Sequence, residues 1–145
     1  MRSTRLALAI LLGAVLASAC ATREPRSSDS LYREVGGAPG VERLVERLLD
    51  RVHENPRISG LFANSDRADL QRLIEEQFCA EFGGGCTYTG RSMEESHSGL
   101  GINHAEFEVF VEDLILAMED VGLATPTQNR ILRIFAPMRD EVVDR

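Results

Sequence analysis

Between residues 103 and 118 the sequence leaves little choice of conformation. Phe107, Phe110, Val111, Leu114, Ile115 and Met118 recur at intervals of three and four residues, the spacing of one helix face. Asn103 and Glu106 precede them as an Asn-x-x-Glu capping pair, which predicts the start of the helix. The same period governs Val41, Leu44, Val45, Leu48, Leu49 and Val52, with Glu42, Arg43, Glu46, Arg47, Asp50 and Arg51 on the opposite face. That second helix is expected to begin near Val41, after the Gly36-Gly37-Ala38-Pro39-Gly40 break, and to stop before Pro56. A third stripe holds Leu70, Leu73, Ile74, Gln77, Phe78 and Phe82, with Gln77 its one polar member, capped by Ser65 or Asp66 and ended by Gly83-Gly84-Gly85. Thr125-Pro126 supplies a cap and first-turn proline for a fourth helix, which Pro137 should kink. Leu31 to Val35 reads as one short helical turn, and no run reads as a strand. The fold class expected is all-α.

The 145 residues suffice for one domain, and 43% hydrophobic content suffices for its core. The formal charge is −7 and the basic residues, all arginine, are interspersed with acids. A nucleic-acid partner is excluded, because binding phosphates calls for a concentrated basic surface. Arg2 and Arg5 followed by apolar residues 6–16 and by Ala17-Ser18-Ala19-Cys20 have the form of an export signal. Residues 1–19 are expected to be a lipoprotein-type signal peptide, with Cys20 the lipidated first mature residue. Residues 20–29 would be a flexible tether and residues 30–145 the folded domain, membrane-anchored on the periplasmic or cell-surface side.

The chemistry centres on Met93-Glu94-Glu95-Ser96-His97-Ser98-Gly99-Leu100-Gly101-Ile102. One histidine lies on a short segment, expected to be loosely wound, between two apolar helices, with glycines after it; that order suggests an iron ligand. His53, near Pro56, and His104, after the Asn103 cap, are expected to be exposed instead. No Cys-x-x-Cys-His motif occurs, so a heme would be held without thioether links. Cys79 and Cys86 flank the glycine turn and are expected to form a disulfide, with two free apolar thiols as the alternative.

Taken together, Gly36-Gly37, the corner Phe62, the glycines at 83–85, Tyr88-Thr89-Gly90, Met93-x-x-x-His97-x-Gly99-x-Gly101-Ile102, Phe107 and Ala136-Pro137 resemble the group 1 truncated hemoglobins. The resemblance implies a two-over-two helical sandwich around non-covalent heme b, with His97 as the proximal iron ligand. Phe62, Leu70, Ile74, Met93 and Phe107 are expected to touch the heme, and Arg72, Tyr88 and Arg91 to meet its propionates. Many relatives carry Tyr where Leu49 stands and Gln where Ile74 stands. Leu49, Leu70 and Ile74 are therefore expected to form an apolar distal pocket, with Gln77 one turn further along. The implied function is binding of oxygen, carbon monoxide or nitric oxide. A heme enzyme acting as a nitric oxide dioxygenase or peroxidase is the first alternative; it would need an unknown reductase or electron donor, since no flavin domain is present. A heme-free helical lipoprotein used as a sensor or partner-binding module is the other.

Overall fold

The computed structural model describes residues 30–145, and the export signal, Cys20 and the tether lie outside them. Among the described residues seven α-helices run in order: α1 Leu31–Val35, α2 Gly37–Glu54, α3 Arg67–Glu81, α4 Met93–His97, α5 His104–Asp120, α6 Thr125–Phe135 and α7 Arg139–Val142. Short 3-10 turns cover Ser59–Phe62 and Ala136–Met138, and among the described residues there is no strand.

Helix α2 is the centre of the packing. It lies against both α3 and α5, while α1 lies against α6. Its stripe is sealed: Leu44, Val45, Leu48, Leu49 and Val52 are at most 1% exposed. Leu114, Ala117 and Met118 of α5 and Ile131 of α6 close the same core. Each such side chain contributes about 1.5–3 kcal/mol by leaving water. At the far end, Phe78, Phe82 and Phe135 form a ring cluster, with Phe78 and Phe135 centroids 4.8 Å apart.

Polar contacts fix how α2 and α5 meet. The Asp120 carboxylate accepts from Arg47 Nε at 2.7 Å and Arg51 Nε at 2.8 Å. Those bonds, Arg47's first, hold its carboxyl below the ordinary range. Asn55, just past α2, donates to Asp113, a carboxylate only 5% exposed on the inner side of α5. Burial of that polar side chain is tolerable because it is hydrogen-bonded.

Two helix starts differ from the sequence expectation. Helix α2 begins at Gly37 instead of Val41, taking Pro39 into its first turn. There Gly40 passes so close to α1 that a Cβ would lie 2.0 Å from the Val35 carbonyl oxygen, so packing extends the helix through a stretch that reads as a turn. Helix α6 has Ala124, not Thr125, at its cap position, with no side-chain cap bond; Thr125 is already helical. The other signals appear as read. Asp66 caps α3 by accepting from the Asp69 amide, and Asn103 and Glu106 form the reciprocal capping box of α5. The helix ahead of Pro137 gives way to the 3-10 turn at Ala136.

Candidate functional site

Helix α4 is a single turn, too short to persist by its own backbone bonds. Its surroundings hold it. Ser92 Oγ accepts from the Glu95 amide at 3.2 Å while Glu95 Oε2 accepts from the Ser92 amide at 3.1 Å, a complete capping box. Beyond the helix, the Gly99 amide donates to the Arg145 carbonyl and the Asp144 amide to the Ile102 carbonyl, both at 2.9 Å. Helix α7 packs on α4 from the same side. The segment expected to be loosely wound is therefore a stapled turn.

His97 ends that turn, half-buried, with Nδ1 2.7 Å from the Met93 carbonyl oxygen. A carbonyl only accepts, so Nδ1 carries a proton, and it is Nε2 that is left for a ligand. A neutral imidazole with its second nitrogen tied to the backbone is the form that ligates a metal.

Across from α4, Leu70, Ile74 and Gln77 share one face of α3 and are all half-buried, unlike Phe78 and Cys79 on the sealed side. The Gln77 amide nitrogen lies 3.3 Å from the Met93 sulfur and 3.7 Å from the Met138 sulfur. This contact brings the α3 stripe to the helix that carries His97. A cleft of ≈ 270 Å³ lies there, lined in part by Gln77, Tyr88, Met93 and Met138.

The segment from 83 to 92 is pinned to α3. Cys79 and Cys86 are joined as a disulfide with Cα atoms 5.6 Å apart. Glu76 accepts from the Thr89 amide at 3.0 Å and from its hydroxyl at 2.6 Å, and Arg72 Nη1 reaches both Glu76 and Thr89. The Thr89 hydroxyl foremost, then its amide, hold the Glu76 carboxyl below the ordinary range, with Arg72 adding to them. The Tyr88 phenol donates to the Arg91 carbonyl at 2.9 Å, and burial pushes that phenol up. Its ring lies over Gly90, where a Cβ would fall 2.2 Å from the phenol oxygen.

The remaining candidates are more dispersed. Leu49 is sealed within the core at 1% exposure. Phe62 is half-buried with its ring centroid 5.9 Å from that of His53. Phe107 is half-buried beneath the Arg139 guanidinium, 5.6 Å from its ring centre. Arg72 and Arg91 are exposed, and Arg72 grips Asp69 at 2.6 Å and Glu76 at 2.7 Å. His104 is exposed and accepts from Arg139. His53, expected in solvent, is half-buried instead, with Nδ1 2.7 Å from the Leu49 carbonyl. Its place four residues after Leu49, on the same helix face, was the available signal. Met138 and Glu76 were not singled out by sequence reasoning: one reads as ordinary core, the other as ordinary helix surface.

This donor set suits a flat apolar group with a metal at its centre. An oriented imidazole nitrogen is available, and Phe62, Leu70, Ile74, Phe107 and Phe110 are apolar side chains that the fold leaves half-buried. Residues 30–144 match the family model of the bacterial-like globins. The group 1 truncated hemoglobin GlbN of Mycolicibacterium paratuberculosis is 32% identical over 113 residues, 78% of this chain and 83% of that protein. GlbN of a Synechocystis species is 34% identical over 99 residues, 65% and 79% of the two chains. Among solved structures, the 2/2 hemoglobin of a Synechococcus species, with covalently attached heme, is similar with a TM-score of 0.75 at 26% identity, covering 80% of this chain and 99% of that one. The truncated hemoglobin of Tetrahymena pyriformis in its Fe(III) form has a TM-score of 0.76 at 20% identity, covering 79% and 98%.

Proposed function

The chain belongs to the group 1 truncated hemoglobins of the bacterial-like globin family, with heme as its cofactor, and from that premise we propose that it binds diatomic gases at an iron held by His97 Nε2. The observation that carries the assignment is the placement of His97 on α4, whose first residue, Met93, lines the cleft together with Gln77 of the α3 stripe while its carbonyl lies 2.7 Å from His97 Nδ1. The test is the absorption spectrum of the purified ferrous chain with and without carbon monoxide. A Soret band that His97→Ala abolishes or shifts supports the reading; a spectrum and heme content indifferent to that change overturn it.

Heme, when bound, supplies the metal that takes the gas. The chain supplies the walls. Leu70 and Ile74 form the distal side with Leu49 sealed in the core rather than open to the pocket, and none of the three has a hydrogen-bond donor in its side chain. A donor facing the partial negative charge of bound oxygen would contribute about 1.5–3 kcal/mol. Without one, oxygen release is expected to be roughly ten- to a hundredfold faster than from a pocket that has it. Carbon monoxide, with little charge to stabilise, should differ much less. These properties favour reversible gas binding over oxygen storage or efficient nitric oxide dioxygenation. Stopped-flow release rates for the two gases check this.

Phe62, Met93 and Phe107 complete the apolar contacts with the ring. For the propionates, Arg72 is engaged by two carboxylates and the Tyr88 hydroxyl already donates to the Arg91 carbonyl. Arg91 is therefore the stronger partner, and Arg91→Ala should speed heme loss more than Arg72→Ala does. The lipid anchor belongs to the same proposal and rests on the Ala17-Ser18-Ala19-Cys20 stretch after the apolar run; among the described residues no helix is long and apolar enough to cross a membrane. Cys20→Ala should then shift the chain from the membrane fraction to the soluble one; unchanged partition overturns the anchor.

A further inference from the structure

The geometry points to Gln77 as a strut that ties the distal helix α3 to the proximal helix α4 and so positions His97, leaving its amide unavailable to the gas. The inference rests on His97 as the iron ligand. By sequence, Gln77 is the one polar member of the α3 stripe and so the one side chain there able to donate to a distal ligand. By position, its amide nitrogen faces two sulfurs instead, 3.3 Å from Met93 and 3.7 Å from Met138. An amide nitrogen has two hydrogens, and two thioethers are weak acceptors for them. Each bond is modest, but a half-buried amide turned away from both would forfeit the partners it has.

Met93 makes the contact consequential. Its sulfur accepts from Gln77 while its carbonyl accepts from His97 Nδ1. Three residues thus form a continuous path from the α3 stripe to the imidazole. Met93 is also the first residue of α4, so a force on its side chain is applied where that turn begins. The other ties between the two elements act further back: the Cys79–Cys86 disulfide and the Glu76–Thr89 bonds hold the loop before Ser92. Gln77 alone, among these, reaches into α4 itself. Met138, in the 3-10 turn just before α7, gives the amide a second anchor beside the helix that packs on α4.

A double-mutant cycle tests the strut on the full chain as purified, with Gln77→Leu, Met93→Leu and the two combined. The first readout is amide hydrogen exchange at Ser96 and Ser98, whose N–H groups donate to the Ser92 and Glu94 carbonyls within and at the end of α4. Each single change should raise exchange there about two- to tenfold, and the pair no further than the larger single effect. The second readout is the iron–histidine stretching band of the ferrous chain, which should shift in both single variants. Oxygen release, relative to carbon monoxide release, should stay within about twofold of wild type in Gln77→Leu. Effects of the two changes that simply add, or exchange unchanged in Gln77→Leu, overturn the strut. So does a tenfold rise in oxygen release with carbon monoxide unaffected, which would show the amide serving the gas. A chain that retains no heme would refute the parent reading, while the exchange cycle would still decide whether Gln77 braces α4.

Discussion

The last turn of α2 and the single turn of α4 each present a histidine whose Nδ1 lies 2.7 Å from the carbonyl four residues back, at Leu49 and at Met93. Both rings are half-buried, and both have Nδ1 tied to the backbone. Their settings differ. His53 belongs to an 18-residue helix whose inner face is closed, and its ring lies against Phe62. His97 belongs to a five-residue turn in which no residue is buried, held from outside by a capping box, a glutamine and the backbone of Asp144 and Arg145. Imidazole orientation is thus a common product of helix geometry. What sets α4 apart is its neighbourhood: its first residue, Met93, lines a cleft shared with Gln77 and Met138.

The comparison breaks most readily at heme retention. His97→Ala should lose the Soret band on gel filtration, while His53→Ala should keep it with the band position unchanged; equal loss in both would remove the distinction. Next comes the difference between sealed and open apolar positions. Leu48→Ala, at 0% exposure in α2, should lower stability by about 2–5 kcal/mol with or without heme. Leu70→Ala, half-buried on α3, should cost less than about 2 kcal/mol in heme-free protein and more once heme covers it. Urea unfolding in both states measures this, and a heme-independent Leu70 effect would argue against α3 as the distal wall.

The smallest effect concerns the loop that leads into α4. Because the Glu76 carboxyl is held below its ordinary value of 4.5, the stability it contributes is complete above that pH. It is lost as pH falls through the lowered value. The protection factor of the Thr89 amide, its intrinsic exchange rate divided by the observed one at each pH, should therefore hold into the acid range and fall only below it. In Glu76→Gln that acid-side fall should disappear. A protection factor that falls already near neutral pH in the wild type would contradict the role given to Glu76.

Much of this contrast is legible in the sequence, since apolar periodicity and capping pairs act locally. The stripes of α2, α3 and α5, the Asn103 box and the break at Pro137 all follow from residues within a turn or two. The turn holding His97 is legible as a place but not as a structure. Its closure depends on Arg145 and Asp144, far along the chain, and on Met93 meeting a side chain of α3. The early start of α2 was hidden because glycine and proline usually signal a turn, whereas here the tight contact between Gly40 and the Val35 carbonyl decides. Burial of His53 escaped notice because neighbouring Glu54 and Pro56 suggest a solvent-facing helix end. For Gln77, sequence supplied the polar outlier, and only the fold could give its partners.

The most direct measurement is the iron–histidine stretching band in the resonance Raman spectrum of the ferrous chain, taken with His97→Gly and His53→Gly beside it. The account predicts the band in wild type and in His53→Gly, its loss in His97→Gly, and its return when free imidazole is added to that variant. A band that persists in His97→Gly without imidazole, or that vanishes in His53→Gly, would contradict it.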